Sequence, residues 1–219
     1  LEKLLTSNLE KGVREELELI HRNSETLLNE VNQLLDFRKL DQQKTQLMLS
    51  YGNLSDFIKE VCVSFIPQAT KKGINIRLHI SETKIDMDFD RNKIQRILLN
   101  LLSNAVKYNY DDGEVIVSLN KISVNGTENV QIQVADTGIG IKDENKDKIF
   151  DRFFQEQHST TTYIGNGIGL HIVKEYVTMH HGTITVENHI PKGTIFTITI
   201  PITHNYAVNN EKQDEDDIQ

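Results

Sequence analysis

The sequence predicts an α+β protein: a helical hairpin, then a two-layer α/β sandwich with a mixed, mainly antiparallel sheet. Three observations carry that expectation. Residues 1–45 hold a heptad seam, with one glycine and no proline. From about residue 47, short alternating segments arrive in pairs across turn residues, as hairpin strands do. Between them run helices with one broad apolar face, which must lie against a sheet.

The elements follow in order. Val13, Leu17, Ile20, Ser24, Leu27, Val31 and Leu34 step alternately by four and three, and Leu28 and Leu35 widen the stripe. A stripe this wide suits a bundle better than a two-stranded coil. "LEKLL" at the start reads as a shorter piece of a similar helix and "TSNLEKG" as the turn between them. Packing on its own domain is the plainer reading of this seam. Its length favours instead a hairpin that dimerises into a four-helix bundle. "QLMLSY" is expected to be a strand. "SDFIKEVCVSFIPQATKKG" is a helix with an acid in its first turn and Gly73 at its end. "INIRLHI" and "KIDMDF" are strands, and "DRNKIQRILLNLLSNAVKY" is a long helix capped by Asp90. "EVIVSLNKI" and "NVQIQVA" flank Asn125-Gly126, a strong hairpin signal. "IKDENKDKIFDRFF" is charged and helix-like, and "NGIGLHIVKEYVTMHHG" is a helix ending at Gly182. "TITVEN" and "TIFTITI" pair across "HIPKG". The expected divisions are 1–45 for the helical hairpin, 46–203 for the sandwich and 204–219 for an acidic linker without periodicity.

Composition narrows the function. The net charge is −8, and half of it sits in the last nine residues, so bulk electrostatics argue against nucleic-acid binding. No apolar run approaches the length that crosses a bilayer, and no stretch of the sequence reads as a signal peptide. The first residue is Leu1, so the chain is expected to be a piece of a longer protein. Cys62 is the one cysteine, which excludes an internal disulfide; its apolar helical setting reads as a buried small hydrophobe.

Four stretches carry chemistry. In "NLLSNAVKY", Asn100, Asn104 and Lys107 share one face of a helix whose Leu98, Leu101, Leu102 and Ala105 face the core. On an arbitrary helix that polar strip would be a solvated surface; on one this apolar it suggests a lined cavity. An amide oxygen is a hard ligand for Mg²⁺, and an ammonium is a point charge for phosphate. "DTGIG" puts Asp136 at a strand end, where a carboxylate can accept from an exocyclic amine such as adenine N6. Its glycines, Gly138 and Gly140, let a planar base approach the backbone. By itself this pattern is weak, since turns produce it often. "GNGIGLHIV" places Gly165, Gly167 and Gly169 at alternate positions leading directly into a helix, whose start offers N–H groups to an anion. It is neither a P-loop nor a dinucleotide fingerprint, because the required lysine and the preceding strand are missing. Finally, Phe150, Phe153 and Phe154 of "IFDRFF" read as core, and the small polar run "QEQHSTTTYIGN" behind them reads as a mobile lid.

In this order and spacing the four stretches resemble the catalytic, ATP-binding domain of sensor histidine kinases. That domain belongs to the superfamily of gyrase, mismatch-repair and heat-shock chaperone ATPases. The likeness covers residues 47–201, including the closing "HHGTITVEN…KGTIFTITIP", and residues 1–45 resemble the second part of the dimerisation and phosphotransfer hairpin. "NQLLDFRKLD" is similar to versions from hybrid kinases, in which a receiver domain follows. The resemblance implies ATP and Mg²⁺ as cofactors, with the metal on Asn104 and Asn100 beside it near the phosphates. Lys107 would contact phosphate, Tyr108 would lie near the nucleotide, and Asp136 would bind the adenine amine. Gly138 and Gly140 would shape the base pocket. Gly165, Gly167, Gly169 and Leu170 would form the lid hinge and its phosphate contacts, and Arg152 would be a further phosphate contact. It also implies a homodimer through the hairpin, a receiver domain or response regulator as partner, and a cytoplasmic place in an inner-membrane receptor whose membrane segments lie upstream.

Two departures from that pattern shape the expected activity. Hydrolysing members of the superfamily place a water-activating Glu four residues before the metal-binding Asn; here that position is Asn100, an amide without useful basicity. The S-H-E-x-R-T-P type of phosphoacceptor motif is absent: His21 is followed by "RNSE", and the remaining histidines lie in or beyond the ATP domain. A protein histidine kinase whose acceptor histidine lies upstream is therefore the leading expectation. A hydrolysing ATPase of the same superfamily, or a dimerisation module that binds nucleotide without catalysis, are the competitors.

Overall fold

The computed structural model describes residues 11–42, 45–155 and 166–204, and the side chains of α1 in part. A long helix leads: α1, Lys11–Asp41, ends in Arg38 and Lys39, cations placed where the helix dipole is negative. The expected first hairpin helix and its turn fall outside the described residues. Along α1 the seam faces solvent, from Val13 (43% exposed) to Leu27 (62%). Its polar member Ser24 is satisfied locally, with Oγ donating to the Ile20 carbonyl at 2.8 Å.

The sandwich is built from β1 (Ser50–Asn53), α2 (Leu54–Thr70), β2 (Asn75–Ile80), β3 (Asp86–Phe89) and α3 (Arg91–Lys107). It continues with β4 (Glu114–Val124), β5 (Thr127–Asp136), α4 (Gly169–Met179), β6 (Thr183–Asn188) and β7 (Thr194–Pro201). The main sheet has the order β2-β4-β5-β7-β6, and β1 pairs with β3 in a separate two-stranded ladder. Only β2 and β4 run parallel, because the long excursion through β3 and α3 joins them; the other ladders are antiparallel. Asn125 and Gly126 turn β4 into β5 with φ of 51° and 81°, the left-handed pair that a two-residue hairpin requires.

One face of the sheet is buried. Val115, Val117 and Leu119 of β4, Val130, Ile132 and Val134 of β5, and Phe196, Ile198 and Ile200 of β7 point into the core. Helix α3 answers with Ile94, Ile97, Leu98, Leu101, Leu102 and Ala105. Each of its larger side chains contributes about 1.5–3 kcal/mol by leaving water. Cys62 lies in this core, where burial pushes its thiol up to about 12.

Three expectations need correction. The strand expected at "QLMLSY" begins only at Ser50. The reason is local: the Met48 N–H donates to Asp90 Oδ2 at 2.8 Å, and the Gln46 carbonyl accepts from Lys93 Nζ at 2.7 Å. Those backbone groups are satisfied by side chains at the start of α3, not by a ladder. Asp90 caps α3 as expected, accepting from the Lys93 N–H at 3.1 Å. Burial would raise its carboxyl, but the Lys93 ammonium and the two N–H groups outweigh it, so its pKa is lowered.

The stretch from Ile141 to Phe154 is not a helix either. A 3₁₀ turn at Asp143–Asn145 is followed by tight turns. It stops at Phe153, which has φ 63° and is 60% exposed, so only Phe150 of the three phenylalanines is fully buried. The last helix starts at Gly169, three residues later than expected. Asn166 Oδ1 accepts from the Ile168 N–H at 3.1 Å, and Gly167 has φ 66°, outside helical space. The "QEQHSTTTYIGN" lid lies almost wholly, and the acidic linker all but His204, outside the described residues.

Candidate nucleotide site

The outward end of α3 carries the polar strip and the C-terminal end of β5 carries Asp136; a single cavity of about 460 Å³ lies between them. That volume falls within the range of small-molecule sites, roughly 300–1,000 Å³. Asn100, Asn104, Lys107, Tyr108, Asp136, Gly140, Gly167, Gly169 and Leu170 all line it. The helix registers Asn100, Asn104 and Lys107 on one side because its other side is committed to the sheet.

Asp136 is buried and firmly held. Its Oδ1 accepts from the N–H of Gly138 at 2.8 Å and of Thr194 at 3.1 Å. The Thr194 hydroxyl also bonds the carboxylate. Burial raises its pKa, and those hydrogen bonds oppose the rise without cancelling it. An ionised carboxylate offers about four lone-pair sites, so the anchored group retains acceptor capacity for a ligand donor.

At the other end, burial lowers the pKa of Lys107, and the Glu30 carboxylate of α1 pulls it back up. The Lys107 ammonium stands 5.1 Å from the centre of the Tyr108 ring. Burial raises the Tyr108 phenol. Asn100 donates through Nδ2 to the Arg96 carbonyl at 2.8 Å, one turn back along α3.

The glycines divide by role. A Cβ on Gly169 would stand 2.7 Å from Asn100 Oδ1, so a larger residue at the start of α4 would require the Asn100 amide to shift. Gly138 is absent from the cavity lining; its bareness serves a close approach, since a Cβ there would lie 2.3 Å from the Tyr108 carbonyl oxygen. That contact, with the Ile139 N–H donating to the same carbonyl at 3.1 Å, ties the end of α3 to the loop after β5. Gly165 lies outside the described residues. Arg152 does not line the cavity: its guanidinium stands over the Phe37 ring of α1, 5.2 Å from the centroid.

Sequence reading missed contributors on two elements, β7 and α1. Thr194 follows Gly193, whose φ of 120° places the loop backbone against Asp136; a Cβ there would meet the Asp136 carbonyl oxygen at 1.9 Å. The only signal was a "KGT" turn between strands. Glu30 and Gln33 of α1 also line the cavity. Nothing in the sequence set them apart from a solvated helix face.

Among the described residues no cluster of three His, Cys, Asp or Glu side chains could hold a metal. Among the described histidines, His189 Nδ1 pairs with the Asp136 carbonyl at 2.8 Å. His180 Nδ1 pairs with the Tyr176 carbonyl at 2.7 Å and its Nε2 accepts from the Asp90 N–H at 3.2 Å, while His171 Nδ1 pairs with the Phe150 carbonyl at 3.3 Å. No helix among the described residues is long and apolar enough to cross a membrane.

Comparison with known proteins agrees with this geometry. Residues 89–204 match the family of histidine kinase-, DNA gyrase B- and HSP90-like ATPases. The hybrid signal transduction histidine kinase D of Dictyostelium discoideum is 37% identical over 93% of this chain, which spans 13% of that protein. The sensor histidine kinase TmoS of Ectopseudomonas mendocina is 36% identical over 92% of the chain, which spans 21% of it. Full-length ShkA, solved in complex with AMPPNP, superposes with a TM-score of 0.73 at 27% identity, over 90% of this chain and 41% of that one. The catalytic domain of histidine kinase ThkA gives 0.61 at 28% identity, over 71% and 96%. The strip on α3, the anchored aspartate and the glycine-led helix thus occur in a chain that belongs to the histidine kinase-, DNA gyrase B- and HSP90-like ATPase family, as a catalytic ATPase domain of the histidine kinase type.

Proposed function

We propose that this chain is the ATP-binding catalytic portion of a two-component histidine kinase, which transfers the γ-phosphoryl group of ATP to a histidine on a hairpin helix preceding α1. The observation that carries the proposal is one cavity with an anchored carboxylate, Asp136, at one end and Asn100, Asn104 and Lys107 at the other. Asp136 accepts from the adenine amine. Lys107 and the N–H groups at the start of α4 meet the phosphates. Among the described residues no histidine lines the cavity, in keeping with an acceptor supplied from elsewhere.

Magnesium fits this donor set. The ion takes few protein ligands and shares its shell with substrate phosphates and water; Asn104, with Asn100 beside it, offers amide oxygens for that purpose. When bound, it offsets charge on the transferring phosphoryl group. What the protein itself does is position: α3 fixes the amides, and the loop after β5 fixes the base. Asn100 stands where a hydrolysing ATPase would need a base, and its amide cannot activate water. The helical segment within residues 1–45 is proposed to dimerise. A receiver domain, in the same protein or on a response regulator, is the proposed phosphoryl destination, in line with the word "hybrid" in the name of a relative.

The test is labelling in trans. The chain is incubated with γ-labelled ATP, Mg²⁺ and a separate histidine-kinase hairpin that carries the acceptor. Acid-labile label should appear on the hairpin, with slow phosphate release in its absence. Rapid phosphate release and an unlabelled hairpin would favour the hydrolysing ATPase instead.

A further inference from the structure

The hairpin between β6 and β7 folds back over the loop that follows β5. Gly193 lies against the main chain of Asp136, and a Cβ on Gly140 would stand 3.3 Å from the Gly193 carbonyl oxygen. His189 opens this hairpin, with its N–H donating to the Gly193 carbonyl at 2.9 Å. Its half-buried ring turns toward Asp136, where Nδ1 stands 2.8 Å from the main-chain carbonyl oxygen. A carbonyl oxygen only accepts, so Nδ1 carries the proton and donates.

That bond bears on a choice between two acceptors. The Thr137 N–H donates to the Glu114 carbonyl of β4 at 3.2 Å, which in an antiparallel ladder turns the Asp136 carbonyl away from β4 and toward β7. The β5–β7 ladder ends at Ala135 and Ile195. Next in that register, Thr194 stands opposite Asp136, and a continuing ladder would put the Thr194 N–H on the Asp136 carbonyl. Here that N–H reaches the carboxylate, with Oδ1 at 3.1 Å, and the His189 ring serves the carbonyl. Asp136 is buried, so a carbonyl that lost this donor would take another one within reach. The nearest is the Thr194 N–H, one of the two main-chain anchors of the carboxylate.

Resting on the nucleotide reading above, we propose that His189 is a positioning residue for base recognition. By donating to the Asp136 carbonyl it keeps the Thr194 N–H on the Asp136 carboxylate. The carboxylate is thereby held with its remaining lone pairs aimed at the exocyclic amine of adenine. His189 does not line the cavity; it acts through Asp136, at the base end of the site and not at the phosphate end.

Two substitutions separate this role from plain packing. In His189→Asn the amide nitrogen falls close to the place of Nδ1 and keeps the donor; His189→Leu keeps bulk without it. The full chain is titrated calorimetrically with Mg-ATP and Mg-GTP, which share their phosphates and differ in the base. His189→Leu should bind ATP about tenfold more weakly, the scale of one lost hydrogen bond. GTP should change by less than about twofold, because guanine presents a carbonyl where adenine presents its amine. His189→Asn should stay within about twofold of the unsubstituted chain for both. In an Asp136→Asn background, His189→Leu should cost ATP less than about twofold, since effects routed through one residue do not add. Should His189→Leu fail to fold, His189→Ser, too short to reach the carbonyl, makes the same comparison. Unchanged ATP affinity without the donor, equal losses for ATP and GTP, an asparagine variant as weak as the leucine one, or full additivity with Asp136→Asn would each overturn the assignment. Failure of the unsubstituted chain to bind either nucleotide would overturn the nucleotide reading itself.

Discussion

Asp136 illustrates how much a single residue can be asked to do. Its Oδ1 is already committed to two backbone N–H donors, so an asparagine there must keep its carbonyl oxygen on that side. The amide NH₂ would then face the cavity and oppose the amine of adenine. Asp136→Asn should weaken ATP binding by about 1–3 kcal/mol, the cost of a lost hydrogen bond to a buried charged group. It should also narrow the preference for ATP over GTP, because a guanine carbonyl accepts where adenine donates. Calorimetric titration with both nucleotides measures this, and unchanged affinity and selectivity would remove Asp136 from the base pocket. The residue type and its place at a strand end were legible in the sequence. The second anchor, Thr194, was not, since it lies 58 residues away and reaches Asp136 only through the β5–β7 ladder.

At the scale of elements, α1 has two faces with different fates. Its seam, from Val13 to Leu35, is solvent-exposed along the single chain, while Asp36, Phe37 and Leu40 dock on the sandwich. An exposed apolar stripe of this length marks a contact surface. A two-fold bundle is the expected assembly. Leu27→Lys should shift the chain from dimer to monomer in sedimentation velocity and leave nucleotide affinity unchanged, because Leu27 is not among the cavity-lining residues. Monomer at high concentration for the unsubstituted chain would show that the described part of the bundle does not assemble alone. The sequence announced the seam through its heptad spacing. It did not announce the docked end, because Glu30, Gln33 and Asp36 repeat at a spacing common to any solvated helix face.

For the whole molecule, the nucleotide cavity is a junction among α1, α3, α4 and the loops at one end of the sheet. A ligand bridging these parts should stabilise all of them together. ATP with Mg²⁺ at a hundredfold excess over its dissociation constant should add about 2.7 kcal/mol, which for a chain of this size raises Tm by roughly 5–10 °C. Differential scanning calorimetry measures the shift, and no shift at saturating ATP would mean that the cavity holds another ligand.

The sequence by itself determined the local rules: the periods of helix and strand, the Asn125-Gly126 turn, the Asp90 cap and the polar strip on α3. Each depends on residues within a turn or two of one another, where chain geometry dictates which side chains share a face. Tertiary structure alone decided which bare positions were needed for close approach, where β1 began, and what faced the polar strip. Gly138 and Gly169 make way for the Tyr108 carbonyl and the Asn100 amide, and Met48 forgoes a ladder for the Asp90 carboxylate. Those outcomes turn on atoms distant in sequence that meet only after the core has packed. The same packing brings α1 against the cavity, and no local pattern encodes a partner that arrives from another layer of the fold.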